Sequence, residues 1–167
     1  MNHIFLIGFM GCGKNAVSAY MSENYNIDIV EMDEEIVRRE NMTIPEIFEY
    51  KGEDYFRNLE TQFLHELENE ECKIVSCGGG VVLKKENVEV MKKSGYIVLL
   101  TAEPETILER VKDDENRPLL QGNKNVEYIK NMLEKRFSHY TSAADIIVKT
   151  DNKSIREICE EILEYRR

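Results

Sequence analysis

The chain lacks any long hydrophobic run. Its longest apolar stretches are about five residues, far short of the roughly 20 that a membrane-crossing helix needs. The first residues enter an apolar segment directly, without the basic leader that precedes many exported proteins. The sequence therefore predicts a cytoplasmic protein that does not bind membranes.

Positive charge is also scarce. The 22 Lys and Arg residues are outnumbered by 32 Asp and Glu residues, which gives a formal net charge of −10. Nucleic acids and anionic membrane surfaces bind basic patches, so neither is expected as a partner. An acidic protein that binds an anionic ligand must gather its few cations in one cleft, which makes the Lys and Arg residues near strand ends the informative ones.

Cysteine pairs with metal-binding or redox spacing are missing. Cys12, Cys72, Cys77 and Cys159 show no C-x-x-C pattern. Cys12 lies in a glycine-rich run where a disulfide is hard to place, so we expect free thiols in a reducing cytoplasm. Its position also makes Cys12 a candidate target for thiol reagents.

The glycine-rich run from Gly8 to Asn15, GFMGCGKN, is the most informative feature that is present. It fits the phosphate-binding pattern G-x-x-x-x-G-K. The glycines let successive backbone N–H groups point at phosphate oxygens, and Lys14 adds a positive charge. The pattern normally continues with Ser or Thr, whose hydroxyl binds Mg2+. Asn15 offers a carboxamide oxygen instead, which Mg2+ also accepts.

The context of this run supports a nucleotide site. An apolar, β-prone segment at residues 3–7 precedes it, and a helical pattern begins at Asn15. A helix N-terminus adds free N–H groups and a favourable dipole for an anion. The simpler alternative is a glycine-rich turn with an exposed lysine, which does not require this order of elements.

The rest of the chain alternates between strand and helix patterns. Predicted strands cover residues 3–7, 27–30, 73–77, 96–100 and 145–148, and predicted helices cover residues 15–21, 34–39, 44–50, 54–68, 84–93, 104–110, 126–140 and 154–165. This alternation predicts one α/β domain, residues 1–167, with helices on both faces of a parallel sheet. Ligands bind beyond the carboxyl ends of such strands, so the segments that follow the strands should form one cleft.

Motifs with functional residue types follow these predicted strands. EMD at 31–33 follows the second strand, GEDYFRNLE at 52–60 opens the long helix, and GGG at 78–80 ends the third strand. RPLL at 117–120 lies in an aperiodic segment. Together with the glycine-rich run and Arg136, this set resembles the shikimate kinase family of P-loop kinases, which are related to nucleoside monophosphate kinases. The resemblance extends over nearly the entire chain.

The resemblance implies a three-layer α/β/α P-loop kinase fold with a central five-stranded parallel sheet. Substrate-binding helices are expected at about 33–65 and a mobile lid at about 112–124. The implied activity is ATP-dependent phosphorylation of the 3-hydroxyl of shikimate, with Mg2+, on the route to chorismate and the aromatic amino acids. We expect a monomer whose partners are shikimate and ATP.

The resemblance also assigns roles to individual residues. The implied nucleotide-binding residues are Gly8, Met10, Gly11, Cys12, Gly13, Lys14, Asn15, Ala16, Arg110 and Arg117, with Arg110 against the adenine. The implied acceptor-binding residues are Asp33, Arg57, Glu60, Gly78, Gly79, Gly80 and Arg136. Lys14, Asp33 and Arg117 are the implied catalytic residues. The implied metal ligands are Asn15 directly, and Glu31 and Ser76 through water.

The residue types suit these roles on chemical grounds. A small cyclic carboxylate needs a guanidinium, such as that of Arg57 or Arg136, for bidentate contact with its acid group. Glu60, one helical turn after Arg57, can hold this guanidinium in place, and Asp33 can orient a hydroxyl and accept its proton. Arg117, brought in by a closing loop, can stabilise the charge on the transferred phosphoryl group.

The same residues also have simpler interpretations. Asp33 is a residue type that commonly caps a helix N-terminus. Arg57 and Glu60 could form an exposed helical ion pair that contributes ~0.3–0.5 kcal/mol. The glycine triplet could be only a turn.

Three positions depart from the pattern of the family. Asn15 replaces the Mg2+-binding hydroxyl, Ala16 removes a hydroxyl that often contacts phosphate, and Glu31 replaces an Asp. Two other functions therefore stay open. One is a related kinase for another polyol acid, such as gluconate. The other is a nucleotide-binding regulatory module without catalysis, which Asn15 and Ala16 favour and the retained acceptor residues disfavour.

Overall fold

A computed structural model describes residues 2–112 and 125–165. Its centre is a sheet of five parallel strands in the order β2-β3-β1-β4-β5. The strands are β1 His3–Ile7, β2 Asp28–Glu31, β3 Lys73–Ser76, β4 Gly95–Thr101 and β5 Ile146–Lys149. The five-stranded parallel sheet predicted from the sequence is confirmed.

Helices connect the strands. They are α1 Lys14–Tyr25, α2 Met32–Glu40, α3 Ile44–Lys51, α4 Glu53–Leu67, α5 Lys85–Ser94, α6 Pro104–Val111, α7 Val126–Ala143 and α8 Ile155–Tyr165. A 3-10 turn at Val81–Leu83 precedes α5. Helix α1 packs against α8, and α4 packs against α3 and α5. The predicted arrangement, with helices on both faces of the sheet, is confirmed.

Helix α1 is longer than the segment predicted at residues 15–21. It continues to Tyr25 and ends at Asn26, which adopts a left-handed conformation with φ of 53°. The N–H of Asn26 donates to the carbonyl oxygen of Ser22 at 3.1 Å. Asn tolerates this conformation better than most residues. The added turn is polar, so hydrophobic periodicity did not reveal it.

The inner strands β1 and β4 are largely apolar and buried, whereas the edge strands β2 and β5 are partly exposed. All five residues of β1 are buried, as expected of a central parallel strand between two helical layers. Both ring nitrogens of the buried His3 have hydrogen-bond partners. Nε2 lies 2.8 Å from the carbonyl oxygen of Leu67, and Nδ1 accepts from the N–H of Lys73 at 3.1 Å. This core holds the strand ends rigidly.

The register of the sheet sets where the strand ends meet. Leu6 and Glu31 both pair with Ser76, so β1, β2 and β3 end at nearly the same level. Gly8 then turns away from β1 with φ of 141°. A Cβ at this position would overlap the carbonyl oxygen of Leu100, so the close approach of the loop to β4 requires glycine.

Helices α3 and α4 contact each other and are joined by a tight turn. A capping box starts α3, in which Glu46 Oε2 accepts the N–H of Thr43 at 2.7 Å and Thr43 Oγ1 accepts the N–H of Glu46 at 3.4 Å. Gly52, with φ of 88°, separates the two helices. The turn allows α4 to present its first two turns toward the ends of β1 and β3.

Within residues 2–112 and 125–165, no helix is long and apolar enough to cross a membrane. The lid expected at about 112–124 lies, apart from Lys112, outside the described residues.

Candidate active site

The glycine-rich run forms a curled loop between β1 and α1. Gly11 and Gly13 have φ values of 78° and 93°, which other residues rarely adopt. The first helical hydrogen bond runs from the N–H of Val17 to the carbonyl oxygen of Gly13 at 3.0 Å. The N–H groups of the first turn therefore remain for a ligand, and no acidic residue lies in this turn to oppose an anion.

Lys14 lies across the loop that it follows. Its Nζ donates to the carbonyl oxygens of Gly8 at 2.8 Å and Phe9 at 3.1 Å. The ammonium group is thereby placed over the curled backbone, beside the free N–H groups of α1. This combination of a fixed cation and helix N-terminus suits polyphosphate binding.

Arg110 joins the nucleotide side from α6. Its Nη1 donates to the carbonyl oxygen of Gly11 at 2.9 Å and to Thr150 Oγ1 at 3.2 Å. A guanidinium held in this way beside the loop offers a flat face on which an aromatic base can stack. The sequence had indicated Arg110 for this role.

Cys12 belongs to the loop but is shielded. Its side chain is 1% exposed, and burial raises the pKa of its thiol above the ordinary value. A buried thiol with a raised pKa is poorly reactive. The expectation that Cys12 would be a target for thiol reagents is wrong for the fold as described, because the sequence pattern does not reveal how deeply the loop is packed.

One cavity of about 470 Å3 adjoins this loop. Its lining includes Met10, Gly11, Gly13, Lys14, Asn15, Ala16 and Arg110 from the predicted nucleotide side, together with Asp33, Arg57, Glu60, Gly78, Gly79, Gly80 and Arg136 from the predicted acceptor side. Among the described residues, Gly8 and Cys12 are loop positions that do not contribute to this lining. The cavity therefore brings the two predicted sites together.

The residues predicted to hold a metal lie between these two sides. Ser76 Oγ donates to Asn15 Oδ1 at 3.1 Å, and Glu31 Oε1 accepts from Ser18 Oγ at 2.8 Å. Glu31 and Ser76 are paired in the sheet, and both line the cavity with Asn15. Carboxylate, hydroxyl and carboxamide oxygens are hard donors of the kind that Mg2+ accepts, so the donor set fits that ion.

Ser18 is a member of this group that the sequence did not single out. It is buried and bonds both Glu31 and the carbonyl oxygen of Asn15, the latter at 3.0 Å. Its position one helical turn after Asn15 was the available signal. A serine in a helix interior is common enough that this signal carries little information.

The acceptor side is built around a buried ion pair. Arg57 Nη1 lies 2.8 Å from Glu60 Oε2, and Arg57 Nη2 lies 3.2 Å from Glu53 Oε1. The Arg57 side chain is 14% exposed and that of Glu60 is fully buried. The alternative interpretation as an exposed helical ion pair is therefore wrong. Glu60 holds the guanidinium at the wall of the cavity.

The glycine triplet is the point where the polar side chains converge. A Cβ added at Gly78 would lie 2.7 Å from Asp33 Oδ1 and 3.1 Å from Glu60 Oε1, and one added at Gly80 would overlap the Arg57 guanidinium. A Cβ added at Gly79 would lie 3.5 Å from Arg136 Nη1. Side chains at these positions would occupy the space that the charged groups share, so the triplet is more than a turn.

Asp33 is not the cap of helix α2. The helix begins at Met32, and Glu31 is its N-cap residue without a side-chain capping bond. Asp33 lies in the first turn, with its carboxylate beside Gly78. The simpler interpretation of Asp33 as a helix cap is wrong.

Burial gives Glu60 unusual proton affinity. Removal from water raises the pKa of its carboxyl group to about 7, and Asp33 and Glu53 add to this rise while Arg57 opposes it. Glu60 Oε1 has no hydrogen-bond partner among the described residues. Burial alone would lower the pKa of Arg57, but Glu60 and Glu53 together raise it. The guanidinium thus stays charged for an incoming anion.

Sequence reasoning also missed Tyr140 on α7. Its hydroxyl donates to the carbonyl oxygen of Gly79 at 2.5 Å, and burial raises its pKa while a hydrogen bond with Arg136 opposes the rise. Tyr140 therefore connects the glycine triplet to the helix that carries Arg136. An aromatic residue at helical spacing resembles an ordinary core residue, so the sequence offered no distinguishing signal.

Apolar side chains complete the acceptor side. Ile44, Pro45, Phe48 and Phe56 line the cavity, and the Phe48 and Phe56 rings are 5.1 Å apart. They give the cavity an apolar surface, and the Phe56 ring lies beside the Arg57 guanidinium, 5.4 Å from Cζ to the ring centroid. Arg117 and the rest of the RPLL motif lie outside the described residues.

The fold and the cavity define a class of protein. A parallel sheet with a phosphate loop, a cation on that loop and a separate pocket for a small polar acceptor is the arrangement of a P-loop kinase. A family model described as shikimate kinase matches residues 10–166. The chain belongs to the shikimate kinase family.

Individual relatives agree over nearly the whole chain. A shikimate kinase of Dehalococcoides mccartyi is 41% identical over 161 residues, which cover 96% of this chain and 91% of the relative. A shikimate kinase of Aquifex aeolicus is 43% identical over 160 residues, which cover 96% and 93%.

Solved structures give the same result. A shikimate kinase from Acinetobacter baumannii in complex with shikimate superposes with a TM-score of 0.91 at 33% identity, covering 99% of this chain and 93% of that one. The Aquifex aeolicus enzyme superposes with a TM-score of 0.79 at 40% identity, covering 98% and 95%. A gluconokinase from Sinorhizobium meliloti reaches 0.56 at 17% identity, which is a likeness of fold alone.

Proposed function

We propose that this protein transfers the γ-phosphoryl group of ATP to the 3-hydroxyl of shikimate, giving ADP and shikimate 3-phosphate on the route to chorismate. The observation that carries the proposal is the convergence of Asp33, Arg57 and Arg136 on the glycine triplet, inside the cavity that also contains Lys14. Donor and acceptor can then meet in one cavity, as phosphoryl transfer requires.

Recognition of the acceptor follows from the charges around the triplet. Arg57 and Arg136 bind the shikimate carboxylate, because a guanidinium offers paired donors in the geometry of a carboxylate. Glu60 fixes Arg57 through the 2.8 Å ion pair. The N–H groups of the glycine segment contact the ligand closely because no side chains intervene.

The transfer step relies on residues at the boundary of the two sides. Asp33 orients the 3-hydroxyl and accepts its proton as the new O–P bond forms. Lys14 and the N-terminus of α1 stabilise the charge on the phosphate oxygens. By family resemblance we also assign Arg117, in the segment at 112–124, to the transferred phosphoryl group.

Mg2+ is part of this proposal. Asn15, Ser76 and Glu31 would hold it, Asn15 directly and the other two through water. When bound, the ion neutralises charge on the β- and γ-phosphates. Asn15 Oδ1 accepts a hydrogen bond from Ser76, so direct metal binding must weaken or replace that bond.

The metal dependence of the enzyme should change when Asn15 is replaced by serine. A hydroxyl restores the usual ligand of the phosphate loop, and it does not have to give up the bond that Ser76 makes to the carboxamide. We expect half-maximal binding of ATP at a lower Mg2+ concentration in Asn15→Ser, measured by calorimetry over a Mg2+ series. Asn24→Ser makes the same substitution at an exposed position of α1 outside the cavity lining, and this matched control should leave the Mg2+ dependence unchanged. Identical Mg2+ dependence in Asn15→Ser and the wild type would overturn the assignment.

Protonation of Glu60 should contribute to folding stability at mildly acidic pH. Because its pKa is raised from 4.5 to about 7 in the fold, the folded state holds a proton that the unfolded chain has lost. This contribution is present below the unfolded pKa and disappears as pH rises through about 7. We expect urea unfolding to show a loss on the order of 1–3 kcal/mol between pH 5 and 8 that is absent in Glu60→Gln.

The exposed neighbour of Arg57 provides the control for that experiment. Glu53 bonds the same guanidinium, but its side chain is 63% exposed. Glu53→Gln should therefore retain the pH trend of the wild type. If Glu60→Gln and the wild type lose stability equally over this pH range, Glu60 does not carry the proton.

We further propose that the protein acts as a single-domain monomer in the cytoplasm. The described side chains of both sides of the cavity come from one chain, so the chemistry does not call for a second copy. The proposed reaction needs ATP, Mg2+ and a soluble metabolite.

A further inference from the structure

A buried hydrogen-bonded cluster connects the two segments that build the acceptor side. It consists of Thr61 on α4, Asn87 on α5 and Lys84 at the start of α5, and these residues are not part of the cavity lining. We propose that Thr61 and Asn87 are positioning residues for the acceptor, which act through Arg57 and the glycine triplet without touching the substrate. This inference rests on the proposed function and deepens it.

Thr61 ties the cluster to Arg57. Its Oγ1 lies 2.9 Å from the carbonyl oxygen of Arg57 and 2.7 Å from Asn87 Oδ1, and it accepts from Lys84 Nζ at 2.9 Å. A hydroxyl has one proton, which the two oxygens share, and Lys84 adds a charged donor to the same oxygen. The first turns of α4 are thereby fixed relative to α5.

Asn87 ties the cluster to the glycine triplet. It is fully buried, and its Nδ2 donates to the carbonyl oxygen of Val81 at 3.0 Å. Val81 directly follows Gly80, and its N–H donates back to the carbonyl oxygen of Gly78 at 3.2 Å. A buried amide with partners at both ends resists displacement, because each lost bond leaves an unsatisfied polar group.

The cluster therefore sets the distance between Arg57 and the triplet. The guanidinium lies against Gly80 so closely that a Cβ there would overlap it. A small shift of α4 relative to the triplet would turn the Arg57 donors away from the N–H groups that contact the same ligand. Acceptor binding is sensitive to such a shift, because bidentate contacts depend on geometry.

The nucleotide side is anchored by different contacts. Lys14 bonds the carbonyl oxygens of Gly8 and Phe9, and Arg110 bonds that of Gly11. None of these three hydrogen bonds involves Thr61 or Asn87. Loss of the cluster should thus weaken the acceptor and leave ATP binding nearly unchanged, which a general loss of stability would not do.

The test compares three substitutions of one residue. Thr61→Val keeps the shape of the side chain and removes the hydroxyl, Thr61→Ala removes it without adding a buried methyl group, and Thr61→Ser keeps it. We expect the shikimate Kd, measured by calorimetry, to rise roughly tenfold in Thr61→Val and Thr61→Ala. Thr61→Ser should stay near the wild type, and the ATP Kd should change less than about twofold in all three.

A hydroxyl elsewhere in the same helical layer provides the control. Ser94 Oγ donates only to the carbonyl oxygen of Val90 within α5, at 2.9 Å, so Ser94→Ala should change neither Kd. If Thr61→Val and Thr61→Ala bind shikimate like the wild type, or weaken ATP and shikimate equally, the positioning role is overturned. A wild type that binds ATP but not shikimate would instead overturn the proposed function.

Discussion

Replacing Lys14 with alanine should abolish turnover while the fold persists. The ammonium group is the cation fixed over the phosphate loop by the carbonyl oxygens of Gly8 and Phe9. The ammonium group stabilises the negative charge that the β- and γ-phosphates carry in the transition state. Loss of one such stabilising group lowers the turnover rate by roughly 10²–10³-fold or more. Because Lys14 also binds the ground-state nucleotide, we expect turnover to fall below detection in a coupled assay of ADP release.

Two measurements make the result for Lys14 specific. The thermal unfolding midpoint of Lys14→Ala should stay within a few degrees of the wild type, because the side chain is only partly buried and fills no core position. Lys85→Ala is the matched control, since the Lys85 side chain is 91% exposed and forms a surface ion pair with Glu89. Substantial turnover by a folded Lys14→Ala protein would contradict the assignment of the loop.

Replacing Arg57 with alanine should produce the second largest effect, and it should act on the acceptor alone. Removal of one partner of a buried charge pair costs ~2–5 kcal/mol in binding, which is roughly 30- to 4,000-fold in the shikimate Kd. ATP binding should be nearly unchanged, because Arg57 lies on the opposite side of the cavity from Lys14 and Arg110. Titration of each ligand separately measures the two effects.

Part of that loss would come from Glu60 rather than from the ligand. Arg57→Ala leaves a fully buried carboxyl group without its cation, which disturbs the site by itself. The double variant Arg57→Ala/Glu60→Gln removes this contribution, and shikimate should still bind weakly. Arg38→Ala removes a largely exposed arginine on α2 as the control. An unchanged shikimate Kd in the Arg57 variants would show that the acceptor lies elsewhere.

Local patterns made most of the fold predictable. The order of strand, glycine loop and helix around Lys14 and the apolar runs of β1 and β4 are signals that lie within a few residues of each other. Alternation of strands and helices then fixed the parallel sheet, because crossover connections require it. The order β2-β3-β1-β4-β5 is a property of long-range pairing, and no local pattern encodes it.

Residues of the candidate site could be predicted from the sequence where the residue type has few structural roles at that position. Asp33, Arg57 and Arg136 are charged residues at strand ends or on neighbouring helices, and their motifs matched a family. Burial was not predictable in the same way. Glu60 is fully buried and Cys12 is shielded, whereas the sequence allowed an exposed ion pair and a reactive thiol. How deeply a side chain is buried depends on which helices pack over it, and this is set by long-range packing.

Residues that act through other residues were missed. Ser18 and Tyr140 bond residues that line the cavity, and Asn87 bonds the carbonyl oxygen of Val81 next to the glycine triplet, but each is a common residue type within a helix. Their function depends on partners 13, 61 and 6 positions away. Such contacts exist only after the chain has folded, so a single sequence gives no sign of them.

The two other functions that the sequence left open can now be weighed. The predicted acceptor side of the cavity includes Arg57, Arg136, Asp33 and the buried Glu60. A module that only senses ATP has no reason to build it. The gluconokinase likeness is one of fold alone, at 17% identity, whereas named shikimate kinases reach 43% over almost the whole chain. Membership of the shikimate kinase family favours shikimate over an open-chain polyol acid.

The most direct test is a coupled assay of ADP release by the wild-type protein with ATP and Mg2+, supplied in turn with shikimate, gluconate or no acceptor. The account predicts ADP release that depends on shikimate and forms one shikimate 3-phosphate per ADP, with no turnover above background in the other two reactions. Turnover with gluconate would contradict the acceptor assignment. ATP binding without release of ADP in the presence of shikimate would contradict the proposed activity itself.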